Sequence, residues 1–193
     1  MDLQEKHKAV TAEIFALYEK HGAEDYIGEP VSQLEHMAQS AQLAAKQGFD
    51  EEVILAAFFH DIGHFLSSDQ TQQMDGYGVM SHEKLGANFL RSKGFPERVA
   101  KLVESHVQAK RYLTFKHPDY YTQLSEASKR TLEFQGGRMS ASEAADFEKD
   151  ELFELSIRMR KWDELAKEEH VPLPDLAIYK QMCLNCLNKA ENS

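Results

Sequence analysis

The stretch LAAFFHDIGHF, residues 55–65, sets three polar, metal-capable side chains, His60, Asp61 and His64, inside an otherwise apolar run. Burying such groups without partners costs several kcal/mol. A metal ion is the partner their chemistry suits, because imidazoles and carboxylates ligate the same transition ions. Residues 51–65 read as one helix, with Asp50 placed to cap it. Neighbouring helical residues point about 100° apart, so His60 and Asp61 cannot share one face but can straddle a site held between helices. With two carboxylate oxygens, Asp61 can bridge two cations.

Outward from this run, apolar residues recur at helical spacing and alternating strand-like segments are missing, which predicts an all-α fold. A first helix is expected over about 3–20, with Leu3, Val10, Ile14, Leu17 and Tyr18 inward and Gly22 as its stop. Pro30 stands where a first helical turn favours proline, opening a helix toward Gly48. Beyond a polar loop, residues 67–80, Ser81 is the expected cap of a helix ending at Gly94. Pro96 starts another helix to about Lys110, and shorter ones run to Phe134, where Gly136 and Gly137 break the pattern. Ser140 caps a further helix, a long one covers about 151–169, and a last one covers about 175–189 beyond Pro172 and Pro174. With no repeat and no linker, residues 1–193 read as a single helical-bundle domain.

The charge balance, 22 Lys+Arg against 32 Asp+Glu, argues against nucleic-acid binding, which needs a basic face. No apolar run approaches the ~20 residues of a membrane span. MDLQEKHKAV, residues 1–10, lacks a signal-peptide pattern, and Cys183 and Cys186 cannot build a disulfide framework; a soluble cytoplasmic protein is expected. The CLNC pair has no second pair to complete a zinc motif and reads as part of an amphipathic helix. Of nine histidines, His36, His82 and His106 fall in the second, fourth and fifth expected helices, whereas His7, His21, His117 and His170 sit in polar surroundings and read as surface.

The order His36, His60-Asp61, His82, His106, Asp163 resembles the HD-domain superfamily, and the two additional histidines resemble its dinuclear branch. Among the late acidic residues, Asp163 lies beside Trp162 in a strongly helical segment, while Asp146, Asp150 and Asp175 read as solvated surface. DGYGVM, residues 75–80, lacks the Gly-Tyr-Pro signature of the cyclic dinucleotide phosphodiesterases. Over essentially the whole chain the sequence is similar to the PhnZ-type mixed-valence di-iron phosphonate oxygenases. The likeness rests on DYIGE (25–29), QLEH (33–36), AAFFHDIGH (56–64), GYGVMSHEKLGA (76–87), ESHVQAKRYL (104–113), LSEASKRTLEFQGG (124–137) and RMRKWDE (158–164).

That resemblance implies two iron ions (Fe(II)/Fe(III)), O2 as co-substrate, and an α-hydroxyphosphonate split into phosphate and a carboxylic acid. It implies that His36, His60, Asp61 and Asp163 hold one iron, and Asp61, His82 and His106 the other. Tyr26 would occupy an iron position before substrate arrives, with Glu29 as its acidic partner; both would swing away on binding, and Glu29 would then face the substrate ammonium. His64, Lys110, Ser128 and Arg160 would surround the phosphonate. Spacing adds that His64 is four residues after His60 and Lys110 four after His106, one helix face in each case. From the residues alone, Lys110 and Arg160 also read as surface charges, Tyr26 as a loop aromatic and Ser128 as a helix cap. The substrate most consistent with the resemblance is 2-amino-1-hydroxyethylphosphonate, giving glycine. Its trimethylammonium analogue would give glycine betaine. Glu29 favours the first; Tyr77, Tyr120, Tyr121 and Phe134 could serve the second through their aromatic faces. The alternative is a dinuclear metal-dependent HD phosphohydrolase, active without O2. A non-catalytic ligand-binding protein would normally show a degraded ligand set.

Overall fold

Helical spacing of apolar residues becomes ten α-helices among the described residues, 2–67 and 71–191, of the computed structural model. They are α1 (Leu3–His21), α2 (Gln33–Lys46), α3 (Glu51–Phe59), α4 (His82–Ser92), α5 (Glu97–Lys116), α6 (Pro118–Gln123), α7 (Glu126–Phe134), α8 (Ala141–Phe147), α9 (Phe153–Leu165) and α10 (Leu176–Ala190). A 3-10 helix, Ile62–Leu66, follows α3. The fold is all-α, and no helix is long and apolar enough to cross a membrane among the described residues. Ser68, Asp69 and Gln70 of the expected polar loop lie outside the described residues.

The segment from Glu51 to Phe65 is not one helix. Helix α3 ends at Phe59, and Asp61, at φ −105° and ψ 10°, leads into the tighter 3-10 turn. A break leaves the last carbonyls of a helix without intrahelical donors. Here the Ala57 carbonyl accepts from His60 Nδ1 (2.8 Å) and the Phe58 carbonyl from the Tyr18 hydroxyl (2.8 Å). Gly63 then presses against the start of α4, where a Cβ would fall 1.9 Å from the His82 carbonyl oxygen. His64 therefore does not lie one helical turn beyond His60.

Other boundaries shift for local reasons. Helix α2 starts at Gln33 rather than at Pro30, because Ser32 and Glu35 form a reciprocal capping box. Ser81 is left-handed (φ 57°) and makes no side-chain cap. Helix α5 continues to Lys116, with no glycine or proline in its path until His117-Pro118. Helix α9 is shorter than expected and stops at Leu165, turning out at Ala166. Leu3 is exposed at the start of α1, and His7 is buried against α10, bonded to Asn188 at 2.7 Å.

Helices α2, α3, α5 and α9 pack around one another, with α4 against α5 and the 3-10 turn. Met37, Leu55, Phe59, Leu102 and Trp162 fill the space between them, fully buried. Helices α1 and α10 cover α3 through a stack in which Phe58 lies between Tyr18 (4.6 Å) and Tyr179 (4.3 Å). Helices α2, α3, α4, α5 and α9 thus bring residues far apart in sequence to one buried point. Gly63→Ala should destabilise the protein by about 1–3 kcal/mol, the usual cost of overpacking. A urea melt against wild type measures this, and an unchanged midpoint would show that the 3-10 turn does not need its close approach to α4.

Candidate metal centre

Four histidines converge with the same hydrogen-bond logic. Nδ1 of His36 donates to the Ala166 carbonyl (2.9 Å), His60 to Ala57 (2.8 Å), His82 to Val79 (3.2 Å) and His106 to Val103 (2.7 Å). A carbonyl only accepts, so each Nδ1 carries hydrogen and each ring, when neutral, presents a bare Nε2 lone pair. Those lone pairs face each other in two pairs: His36 and His60 at 3.0 Å, His82 and His106 at 3.2 Å. Two lone pairs at that distance repel unless positive charge lies beside them. Nitrogen ligands at right angles on an ion ~2.1 Å away are about 3.0 Å apart, so the spacing fits a metal centre. Backbone carbonyls fixing the other ring nitrogen are the usual support of metal-ligating histidine.

The carboxylates complete two sets. Asp163 Oδ1, buried and without a hydrogen-bond partner, lies 3.4 Å from His36 Nε2 and 4.0 Å from His60 Nε2. Asp61 divides its oxygens: Oδ2 is 3.6 and 3.4 Å from the Nε2 atoms of His36 and His60, Oδ1 is 3.2 and 3.5 Å from those of His82 and His106. Residues His36, His60 and Asp163 could hold one metal ion, and Asp61, His82 and His106 a second, all of them buried. The helix break makes this possible, since it turns His60 and Asp61 to opposite sides of one inter-helix point.

Electrostatics point the same way. Burial works against charge on Asp61, yet the surrounding histidines, His60 foremost, hold it well below the usual carboxylate range. For Asp163, Arg160 overcomes the same burial, helped by His36 and His60. Burial pulls the His60 imidazole down, but Asp61 and Asp163 prevail and raise it to about 9. The site holds two buried anions and calls for cations.

His64 has the opposite tautomer. The Val79 N–H donates to its Nδ1 (3.1 Å), so its hydrogen is on Nε2. Burial, reinforced by His82, lowers its pKa to about 3, keeping the ring neutral. It stacks on His82 at 4.1 Å and presents an N–H donor beside the centre. Its ring also fills the space a Cβ on Gly78 would take, 2.6 Å away, which with a φ of +98° makes that position require glycine.

A cavity of about 60 Å³ opens beside both ligand sets, lined by Tyr26, Glu29, His64, Lys110, Ser128 and Arg160 among others. The expected site residues thus come to one place. Lys110 and Arg160 are buried, not surface charges. Lys110 donates to Thr131 Oγ1 (2.7 Å) and Gln135 Oε1 (2.9 Å), with no carboxylate among the described residues on its ammonium. Burial, and then Arg160, push it well below the ordinary lysine value. Arg160 pairs with Asp163 (2.5 Å) and Glu164 (2.9 Å), and reaches Ser128 Oγ at 3.4 Å. Ser128 is not the cap of α7; Ser125 is. The Tyr26 ring lies flat on His36, centroids 4.0 Å apart. Glu29 is bound by Lys167 at 2.5 Å.

Thr131, Gln135, Glu164 and Lys167 were not singled out from sequence. Thr131 and Gln135 repeat at helical spacing, and Glu164 follows Arg160 by four, signals that could have found them. Lys167 stands beyond the end of α9 and carries no such signal.

An HD-domain family model matches residues 33–145. An uncharacterised protein of Acanthamoeba polyphaga mimivirus is 41% identical over 181 residues, 93% of this chain and 83% of its own length. A glycine-betaine-forming 1-hydroxy-2-(trimethylamino)ethylphosphonate dioxygenase of Leisingera caerulea is 40% identical over 91% of this chain and 89% of its own. A hydroxymethylphosphonate dioxygenase of Gimesia maris is 38% identical over 90% and 86%.

Without an ion, the positive charge between the His36 and His60 lone pairs is a proton: His60, held at about 9, carries one at pH 7 that an incoming ion must displace. Metal affinity of the apo-protein should therefore rise with pH and level off above about 9. Calorimetric zinc titrations at pH 7, in buffers of different ionisation enthalpy, should show release of about one proton per protein from this group. Titrations without proton release would mean that His60 is already bare.

Proposed function

The chain belongs to the HD-domain family, and on that premise we propose that it is an O2-dependent dioxygenase cleaving the C–P bond of a small 1-hydroxyphosphonate. Two curated relatives are named as dioxygenases of such substrates, each alike over most of its length. The observation that carries the reading is the pairing of a two-ion ligand set with an adjoining cavity lined by the buried basic side chains of Lys110 and Arg160. We read His36, His60, Asp61 and Asp163 as ligands of one iron and Asp61, His82 and His106 as ligands of the other. With both irons bound, the centre supplies O2 activation and oxidation of the hydroxyl-bearing carbon, which ends in phosphate and a carboxylic acid.

The remaining residues bind and orient. A phosphonate dianion suits Lys110, whose ammonium is held by the neutral Thr131 and Gln135, and the Arg160 guanidinium, whose planar fork favours such anions. His64 adds a neutral Nε2–H and Ser128 a hydroxyl. Donors already fixed in a water-poor cavity need no reorganisation when the anion arrives. Tyr26, flat on His36, covers the open side of the first ligand set and keeps water from it until substrate enters. Burial, with Asp61 and Asp163, holds its phenol well above its ordinary value, so it stays protonated until a cation lies beside it. Glu29 would receive a substrate ammonium, which makes 2-amino-1-hydroxyethylphosphonate the favoured substrate, yielding glycine. Residues 1–193 act as one domain on this reading, because α9 returns Arg160 and Asp163 to a site begun by α2. Two buried free cysteines, Cys183 and Cys186, suit a cytoplasmic enzyme.

Iron-loaded protein should release phosphate and glycine from 2-amino-1-hydroxyethylphosphonate in air and not under argon. Equal release of phosphate under both, without glycine, would establish the phosphohydrolase instead. Lys110→Met and Arg160→Lys should each lower kcat/KM by roughly 10–100-fold, the worth of one charge-assisted hydrogen bond. Loss of less than twofold in both would remove them from the phosphonate site.

A further inference from the structure

Lys167 lies just beyond the end of α9, and the phosphonate end of the site has no use for it. Its Nζ donates to Glu29 Oε1 at 2.5 Å, and the two side chains are only 16% and 10% exposed. The same ammonium stands 5.8 Å from the centroid of the Tyr26 ring. Glu29 forms part of the wall between two spaces. One is the cavity at the metal centre; the other, of about 210 Å³, is lined by Tyr120, Ser125, Glu164 and Lys167 among others. The backbone carrying Glu29 is fixed. Tyr26 N–H donates to Val31 (3.0 Å), Glu29 N–H to Tyr26 (2.9 Å), and Gly28, at φ +82°, packs on Ala127 where a Cβ would stand 2.8 Å away.

A carboxylate already paired at contact distance with one ammonium, away from bulk water, attracts a second cation weakly. On the hydroxyphosphonate reading above, Glu29 is the acceptor for a cationic substituent, and in the structure that acceptor is taken. We propose that Lys167 is the specificity-determining residue for the substituent on the hydroxyl-bearing carbon: it holds on Glu29 the place of a substrate ammonium. A cationic substrate then binds by displacing Lys167, whereas an uncharged one binds with the Lys167–Glu29 pair intact. The displaced ammonium has somewhere to go, since Glu164 lines the same second cavity. The pair also keeps Glu29 from standing as an unpaired anion in the cavity it lines together with Asp61 and Asp163.

The test compares 2-aminoethylphosphonate with ethylphosphonate, equal in length and lacking the hydroxyl, bound calorimetrically to Fe(II)-loaded protein under argon. Lys167→Met should raise the preference for 2-aminoethylphosphonate over ethylphosphonate by roughly tenfold, the scale of one charge-assisted contact regained. Lys167→Arg, which keeps the pair, should leave that preference within twofold of wild type. In a Glu29→Gln background, Lys167→Met should no longer change it. A preference unmoved by Lys167→Met, or moved equally by Lys167→Arg, overturns the role of Lys167 and leaves the hydroxyphosphonate reading standing. Failure of wild type and variants to bind either phosphonate overturns both.

Discussion

Imidazole nitrogens facing one another at about 3 Å, with a carboxylate between the pairs, are the constraint from which the rest of the molecule follows. Such an arrangement is unfavourable by itself, since lone pairs repel and two buried carboxylates lack full compensation. It persists because five helices meet there and each ring is pinned through Nδ1 to a backbone carbonyl. Three of those carbonyls, from Ala57, Val79 and Val103, lie three residues before their histidine; the fourth, from Ala166, crosses from the end of α9. Stopping α9 at Leu165 is thus part of the site, because an Ala166 carbonyl inside a continuing helix would have a backbone donor of its own.

The cavity beside the centre adds a second layer of the same logic. Lys110 is buried among a threonine and a glutamine, a costly position for an ammonium and a favourable one for a cation awaiting an anion. Arg160 joins the two layers, holding Asp163 at 2.5 Å while its Nη2 reaches Ser128. Charge is therefore balanced in sequence across the site, from carboxylates to guanidinium to ammonium. His64 shows how one residue type serves two roles by tautomer: its Nδ1 takes a hydrogen bond where the other four give one, leaving a donor where they leave a lone pair.

Much of this was legible in the chain itself. The 3.6-residue periodicity carries the all-α class, and the ordered His, His-Asp, His, His, Asp set carries the convergence on one centre. What was not legible has physical causes. Residues 51–65 have an unbroken helical pattern, and at the break one freed carbonyl is met by the local His60 ring and the other by Tyr18, a donor that only the fold brings near. Pro30 suits a first turn, but the reciprocal pairing of Ser32 and Glu35 satisfies two backbone donors and wins. His7 looked superficial among charged neighbours because its partner, Asn188, lies at the other end of the chain. Lys110 and Arg160 were ambiguous for the same reason: a cation's burial is decided by what packs over it, here α7, and not by its own helix.

The site also divides by the kind of backbone that carries it. Metal-facing residues and the donors proposed for the phosphonate stand on helices α2, α4, α5, α7 and α9 and on the turn that follows α3, positions fixed by the core. Glu29 and Lys167 stand on irregular segments, the turn before α2 and the stretch after α9. Connecting segments change with less consequence for stability than packed helices do. Relatives named for a trimethylamino substrate and for hydroxymethylphosphonate differ at the carbon substituent and share the hydroxyphosphonate group. A fold that builds the shared group's site on helices and leaves the other end to two loops can keep its chemistry while that substituent changes. The Lys167–Glu29 pair sits at the end where such change is least costly, and in this chain it makes charge the property of the substituent to be tested.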